Sequence, residues 1–205
     1  MSLRCSHRSL GLAAAAVVSV AIGLLVPASG AGAASGAIVT VDASADVLQP
    51  ARRLRPLPPV NFPMQTTPRC AILDNFGDPR SGGRFHEGTD MLATLGQEVY
   101  AMDDGTLTYQ ATVGDGTSGS LLSGNLWKLT ASSGGTYYIY AHLSAFEPGL
   151  TRGSLVRKGQ VLGYVGDTGN PGPGNYHLHF EVHPGGGAAV NPLSVVTVPA
   201  GCSVS

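Results

Sequence analysis

The stretch Tyr176-His177-Leu178-His179-Phe180-Glu181-Val182 alternates polar and apolar residues in the manner typical of a half-buried β-strand. Successive side chains of a strand point to opposite faces, so His177, His179 and Glu181 would share one face while the apolar residues enter a core. Two imidazoles held side by side can begin a zinc site, because neutral imidazole is a suitable zinc ligand. Two surface histidines on an amphipathic strand would give the same pattern, so this stretch alone leaves both interpretations open.

The composition favours short strands and many turns. The chain has 205 residues, of which 29 are glycine and 12% are charged, and its net charge is −1. It therefore lacks the basic character that nucleic-acid binding requires. Alternating segments predict strands over 98–102, 106–113, 126–130 and 136–142, and two more within 155–165, with a loop over 114–124. No long amphipathic helix is predicted, so we expect one all-β domain.

Residues 1–34 have the features of a secretory signal peptide. A segment with two arginines precedes an uncharged apolar run over 10–26, and Ala31-Gly32-Ala33 then fits the small-x-small cleavage rule. We expect cleavage near Ala33 or Ala34 and export of the protein. An uncleaved membrane anchor is the alternative, because the run is close to the shortest length that spans a bilayer.

Residues 35–67 have the composition of a Pro-rich spacer. Their segment Arg52-Arg53-Leu54-Arg55-Pro56-Leu57-Pro58-Pro59 favours an extended, solvated chain. Its arginines would be solvated or would contact anionic wall polymers. We therefore place the folded domain at 68–205.

Two cysteines lie at the ends of this domain. Cys5 would leave with the signal peptide, whereas Cys70 opens the folded region and Cys202 closes it. In an exported protein such a pair predicts a disulfide, with two free thiols as the alternative.

Further metal-ligand candidates lie in Phe85-His86-Glu87-Gly88-Thr89-Asp90-Met91. Gly88 argues against a helix, so this segment is not the helical His-Glu-x-x-His motif. In an extended segment His86, Gly88 and Asp90 would share a face, and Gly88 would leave room for a metal and a substrate. His142, at the end of a predicted strand, is either a functional residue or a hydrogen-bonded core histidine.

Taken together, the motifs resemble those of lysostaphin-type (LytM) zinc endopeptidases, which cleave peptide bonds in bacterial peptidoglycan. The resemblance covers about 70–195 and rests on motifs found in the family's order: His86-Glu-Gly-Thr-Asp90, Tyr140-Ala-His-Leu-Ser144, Gly159-Gln-Val-Leu-Gly-Tyr-Val-Gly-Asp-Thr-Gly169, His177-Leu-His-Phe-Glu181 and Asn191-Pro-Leu193. It implies a compact antiparallel β-sheet or sandwich-hybrid domain with long loops that form a groove.

The resemblance also implies roles for individual residues. One Zn²⁺ ion would be bound by His86, Asp90 and His179. The catalytic pair beside the metal-bound water would be His142 and His177. Glu181 is a candidate acceptor for a ligand imidazole. We expect a secreted, cell-wall-associated monomer that acts on peptidoglycan peptides, without a stable membrane partner.

The sequence departs from one part of the family's pattern. Family members that cut glycine bridges place a tyrosine shortly before the first ligand histidine, but 78–85 contains none. Tyr138 or Tyr140 would then be alternatives for stabilising an oxyanion, and Arg80 or Arg84 would either bind a substrate carboxylate or be solvated.

Other functions stay open at this point. A zinc carboxypeptidase acting on wall peptides fits the same motifs. A wall-binding regulator of other hydrolases would have lost some of the five site positions, which are all filled here. The sequence does not indicate which bond is cut.

Overall fold

The computed structural model describes residues 61–116 and 118–205, so the expected signal peptide and most of the expected spacer lie outside the described residues. Ten strands, one short α-helix and three 3-10 helices are found in this part of the chain. The elements are β1 Ala71–Leu73, β2 Thr89–Leu92, β3 Glu98–Tyr100, β4 Gly105–Ala111, α1 Ser118–Ser123, β5 Asn125–Ala131, β6 Tyr137–Phe146, β7 Leu155–Val156, β8 Val161–Val165, β9 His177–His183 and β10 Ser203–Val204, with 3-10 helices at Ser81–Gly83, Pro184–Gly186 and Pro192–Ser194.

The strands form one sheet, which confirms the all-β prediction. Its main order is β10-β1-β2-β9-β6-β5-β4-β7, and β3 joins through β8. The pairing of β10 with β1 is parallel, whereas the other pairs are antiparallel. The sheet branches at β6, because the first half of β6 pairs with β9 and its second half pairs with β8.

The alternation of the opening stretch is confirmed in β9. Leu178, Phe180 and Val182 are buried in the core, where Trp127 and Tyr140 are among the largest side chains. The polar atoms of these two large residues are satisfied. The indole of Trp127 donates to a backbone carbonyl, and the Tyr140 hydroxyl accepts a backbone N–H. The core therefore holds β9 firmly with its histidines on the opposite face.

The packed region begins earlier than the expected boundary at residue 68. Phe62 and Met64 are almost fully buried in the core, and Met64 forms a β-bridge with Val99. Residues 61–67 therefore belong to the domain and not to a solvated spacer. Pro63 favours an extended backbone here, but the two large apolar side chains beside it pack into the core.

Several elements differ from the sequence-based expectations. The expected loop over 114–124 contains the helix α1, and β6 continues four residues beyond the predicted end at His142 to Phe146. The short strands β1, β2 and β10 were not predicted. Within the described residues, no helix has the length and apolar character required to cross a membrane.

A disulfide connects the two ends of the domain. Cys70 and Cys202 are bonded across 132 residues of sequence, with their Cα atoms 4.7 Å apart. Each cysteine lies next to one strand of the parallel pair, Cys70 before β1 and Cys202 before β10. The bond therefore ties the last strand to the first one.

Candidate metal centre

Three of the predicted site residues bring their donor atoms to one point. Asp90 on β2 and His179 on β9 are direct cross-strand partners, so their side chains project from the same face, and His86 lies just before β2. His86 Nε2 lies 2.8 Å from His179 Nδ1 and 3.2 Å from Asp90 Oδ1, and the last two atoms are 3.1 Å apart. The segment before β2 and the middle of β9 thus meet at one cluster.

This cluster fits a zinc ion. Its donor set is two imidazole nitrogens and one carboxylate oxygen, which is a frequent set at catalytic zinc sites with three protein ligands. The donor atoms of a tetrahedral zinc site, with bonds of about 2.0 Å, are about 3.3 Å apart. The three distances here are close to that value, so a small rearrangement would suffice.

Hydrogen bonds on the far side of each imidazole fix which nitrogen faces the cluster. His86 Nδ1 lies 2.9 Å from the backbone oxygen of Asn75, which can only accept, so this nitrogen carries the proton and Nε2 is free. In the same way, His179 Nε2 donates to Glu181 Oε1 at 2.8 Å, so its Nδ1 is the nitrogen that points towards the cluster. Glu181 is therefore in the position of the hydrogen-bond acceptor that the sequence suggested, in an arrangement typical of metal-binding histidines.

Asn75 is a positioning residue that the sequence did not reveal. In addition to its backbone contact with His86, its side-chain Nδ2 donates to Asp90 Oδ2 at 2.7 Å. Its Oδ1 accepts the backbone N–H of Asp90 at 3.2 Å. One residue outside the motifs therefore orients two of the three proposed ligands.

The cluster shifts the pKa values of its members in opposite directions. Burial favours the neutral form of Asp90, but its interactions with the imidazoles of His179 and His86 outweigh burial and hold the pKa of this carboxyl well below its usual range. Burial also disfavours the charged form of His179. Its hydrogen bonds to Asp90 and Glu181 outweigh this effect and raise its pKa to about 9. Without metal, the His179 ring therefore keeps protons on both nitrogens, and with them its positive charge, at neutral pH.

The two remaining histidines lie directly beside this cluster. His177 Nε2 is 3.7 Å from Asp90 Oδ1, and the ring centroids of His142 and His177 are 4.8 Å apart. His142 Nδ1 donates to the backbone oxygen of Thr168, and His177 Nδ1 donates to that of Asn175, both at 2.9 Å. Each neutral ring therefore has the free electron pair of its Nε2 available to take up a proton.

An unusual backbone conformation accounts for the position of His142. In a regular strand His142 would share the core face with Tyr140, yet its φ is +62°, and the pairing of β6 with β8 shifts register between Leu143 and Ala145. Leu143, the next residue, then returns to the core. Left-handed φ values are costly for residues with a Cβ and cluster at functional sites. The conformation turns His142 from the core towards His177.

Burial keeps both of these histidines neutral. It lowers the pKa of His142 to about 3, helped by the proximity of His177 and His179, and it also lowers the pKa of His177. At neutral pH both are therefore in the form that can accept a proton.

Gly88 is required by the ring of His179. A Cβ at position 88 would lie 2.6 Å from the backbone oxygen of Phe180 and 2.7 Å from His179 Cε1. The expectation that Gly88 leaves room for metal and substrate was therefore wrong, because the imidazole of a proposed ligand fills this space.

Glu181 also connects the cluster to a more distant histidine. Its second oxygen lies 2.8 Å from His183 Nε2, and His183 Nδ1 donates to the backbone oxygen of Gly187 at 3.0 Å. His183 is buried and stacks on Tyr137 with ring centroids 4.2 Å apart. Glu181 is thus held from both sides, and its hydrogen bonds to His179 and His183 outweigh burial and lower its pKa.

The cluster lies at the bottom of an open cleft of about 320 Å³. The segment before β2, α1 and the loop after β8 all contribute lining residues, as expected for a groove formed by loops. The lining side chains outside the five site residues are Arg80, Arg84, Phe85, Glu87, Leu122, Ser123, Asn170, Pro171, Asn175 and Glu181. Tyr138 and Tyr140 are buried in the core and do not line the cleft, so the suggestion that they stabilise an oxyanion was wrong.

Comparison with known proteins identifies the family. The model of peptidase family M23 matches residues 84–192, which include all five site residues. An L-Ala–D-Glu endopeptidase of Bacillus subtilis is 31% identical over 130 residues, which are 60% of this chain and 37% of that protein. The DD-carboxypeptidase/endopeptidase Mpg of Neisseria meningitidis is 39% identical over 113 residues, which are 55% of this chain and 23% of that protein.

A solved structure agrees with this assignment. A zinc-containing peptidase of Vibrio cholerae superimposes with a TM-score of 0.53 at 25% identity, over 68% of this chain and 40% of that one. The chain spans well under half the length of the curated relatives it matches. Since the family model covers more than half of the sequence and all three proposed metal ligands, the chain belongs to peptidase family M23.

Proposed function

We propose that this chain is an exported zinc metalloendopeptidase that hydrolyses peptide bonds in the stem peptides or cross-bridges of peptidoglycan. The observation that carries the proposal is the convergence of His86 Nε2, Asp90 Oδ1 and His179 Nδ1 within 3.2 Å, with two neutral histidines beside them. Zinc fits this donor set, and the zinc-containing peptidase of Vibrio cholerae supports the choice of metal.

The five site residues would divide the chemistry between them. Bound zinc supplies Lewis-acid chemistry, which polarises the scissile carbonyl and makes a water molecule more acidic. His142 or His177 accepts a proton from the water at its free Nε2 and delivers a proton to the leaving amine. The backbone carbonyls of Thr168 and Asn175 hold these rings in the tautomer that this transfer needs.

The substrate class and the location are also part of the proposal. The names of the two curated relatives describe cleavage at D-amino acids, which are characteristic of peptidoglycan peptides. The open cleft suits an extended peptide chain. Export to a cell-wall location is supported by the apolar run over 10–26 and by the disulfide, which is typical of oxidising compartments.

The test is digestion of purified peptidoglycans with defined cross-links. The protein is incubated with each wall type without chelator, with chelator, and with chelator followed by zinc, and the released fragments are identified by mass spectrometry. We expect fragments that end at one type of peptide bond, lost with chelator and restored by zinc. Release of no fragment from any wall type would reject the enzyme and favour the wall-binding regulator.

A further inference from the structure

The rim of the cleft carries a short hairpin over 79–85. Pro79 and Phe85 form an antiparallel bridge, and the backbone N–H of Arg80 donates to the backbone oxygen of Arg84 at 2.9 Å. The turn between them contains Gly82 and Gly83 with φ of +75° and +72°, which only glycine adopts without strain. This hairpin therefore places Arg80 and Arg84 directly opposite each other.

Two positive charges in this arrangement repel each other. Like charges directly opposite across a strand pair are destabilising, so an anion bound between them would stabilise this arrangement. Arg80 has a partial one, since its guanidinium lies 3.4 Å from Asp90 Oδ2. That oxygen already accepts a shorter hydrogen bond from Asn75.

The charge of Arg84 is less well compensated. Its Nε donates to the backbone oxygen of Ser81 at 3.3 Å, which supplies no negative charge. Within 61–116 and 118–205, no carboxylate forms a salt bridge with Arg84, and Glu87, which also lines the cleft, forms none with either arginine. The hairpin thus presents an exposed guanidinium that has no acidic partner in the described part of the chain.

The hairpin lies next to the proposed metal ligands. Arg80 contacts the carboxylate of Asp90, a proposed metal ligand, and both arginines line the same cleft as the ligands. The residues that α1 and the loop after β8 contribute to the cleft are uncharged: Leu122, Ser123, Asn170, Pro171 and Asn175. The Arg80 guanidinium lies 3.4 Å from Asp90 Oδ2, and an extended peptide advances about 3.3–3.6 Å per residue, so a carboxylate bound at the hairpin would lie about one to two residues from the bond that is cut.

We propose that the hairpin over 79–85 is a carboxylate-binding subsite. Arg84, with Arg80 beside it, binds a free carboxylate of the substrate peptide within about two residues of the scissile bond. A guanidinium fork matches a carboxylate in two parallel hydrogen bonds, and the anion relieves the repulsion between the arginines. This inference rests on the proposed function and assigns a substrate class to it: peptides that carry a free carboxylate beside the cleavage site.

The first test compares two peptides that differ in one group. One has the free carboxylate and the other has the isosteric carboxamide, and kcat/KM is measured for the zinc-loaded enzyme and for Arg84→Gln. We expect the wild type to prefer the carboxylate by about tenfold or more, and the preference to approach one in Arg84→Gln. The control is Arg152→Gln, which removes the same charge and a similar Nε bond to a backbone oxygen away from the cleft, and it should keep the wild-type preference. An equal preference in wild type and Arg84→Gln would overturn the subsite.

A second measurement separates this subsite from the proposed function. Binding of a carboxylate peptide and of its carboxamide twin to the zinc-free protein is measured by NMR titration, which requires no turnover. Tighter binding of the carboxylate, lost in Arg84→Gln, supports the subsite even if neither peptide is cleaved. Equal binding of the twins overturns the subsite, whatever the result of the digestion.

Discussion

The five histidine and aspartate side chains of the cleft fall into two groups. His86, Asp90 and His179 bring their donor atoms together, whereas His142 and His177 contribute no atom to that cluster. We therefore expect His142→Ala and His177→Ala, made separately, to retain zinc while turnover falls by about 10²–10⁴-fold. Zinc content by atomic absorption and hydrolysis of a defined peptide measure the two effects. Loss of zinc in either variant would contradict this division.

Zinc binding should depend on pH through His179. Its pKa of about 9 in the metal-free protein means that Nδ1 retains its proton below that pH, and zinc has to displace it. Asp90 is already ionised, because its pKa is lowered. We expect about one proton to be released per zinc at pH 7, and the apparent affinity to fall about tenfold per unit as the pH is lowered.

Calorimetry in buffers of different ionisation enthalpy would count the protons that zinc releases.

The pKa of about 3 for His142 predicts that protonation of this ring does not limit activity in mild acid. Loss of activity between pH 7 and 5 should therefore follow loss of zinc and be reversed by added zinc. Inactivation with zinc still bound would contradict this prediction.

Asn75 should matter for zinc although it is not a ligand. Asn75→Ala removes the amide that donates to Asp90 Oδ2, while the backbone oxygen that accepts from His86 stays in place. We expect zinc to bind about ten- to a hundredfold more weakly, measured by competition with a chelator. As a control, Asn170→Ala changes a cleft residue whose backbone N–H donates to the backbone oxygen of Leu122 and would still do so in the variant, so this variant should bind zinc normally.

The sequence showed the ligand candidates better than their surroundings. Histidines at a fixed spacing, such as His177 and His179, can be recognised as candidate ligands in a single sequence. The acceptor Glu181 could also be recognised, because it lies on the same strand face. The acceptors Thr168 and Asn175 act through backbone carbonyls, which every residue has. No sequence pattern marks such contacts, and the left-handed backbone of His142 gave no signal either.

At the level of elements, the long alternating segments were predictable, whereas three of the short strands were not. The segments β4, β5 and β9 have up to seven residues of alternation, which is enough to show a period of two. The strands β1, β2 and β10 have two to four residues, and their pairing rather than their pattern defines them. The short β2 matters most, because its register with β9 sets Asp90 opposite His179.

The contact between Gly88 and β9 can be tested at this level. Gly88→Ala would place a methyl group 2.6 Å from the backbone of Phe180 and force the ring of His179 aside. We expect a loss of about 1–3 kcal/mol in the free energy of unfolding and a clear loss of zinc affinity. Denaturant melts and chelator competition measure both.

The matched control is Gly201→Ala. A Cβ at position 201 has no neighbour within 4 Å, and its φ does not require glycine, so this variant should match the wild type. Wild-type zinc affinity in Gly88→Ala would show that the tight contact does not determine the position of His179.

For the whole molecule, the disulfide should stabilise the folded state but should not affect zinc binding. The Cys70→Ala/Cys202→Ala variant frees a loop of 132 residues, which should lower the free energy of unfolding by about 2–5 kcal/mol. The proposed ligands lie on β2, just before β2 and on β9, beyond β1 in the sheet, so the zinc affinity of the folded variant should not change. Weaker zinc binding at a temperature where the variant is fully folded would contradict this expectation.

The closeness of the two ends has a further consequence. Besides the Cys70–Cys202 bond, the backbone oxygen of Asn61 accepts the N–H of Thr197, so segments near the two ends of the described domain are joined at two points. A unit of this kind can be inserted into a surface loop of another protein without spreading that loop. We therefore expect that the domain, inserted into a surface loop of an unrelated protein, would fold and bind zinc there.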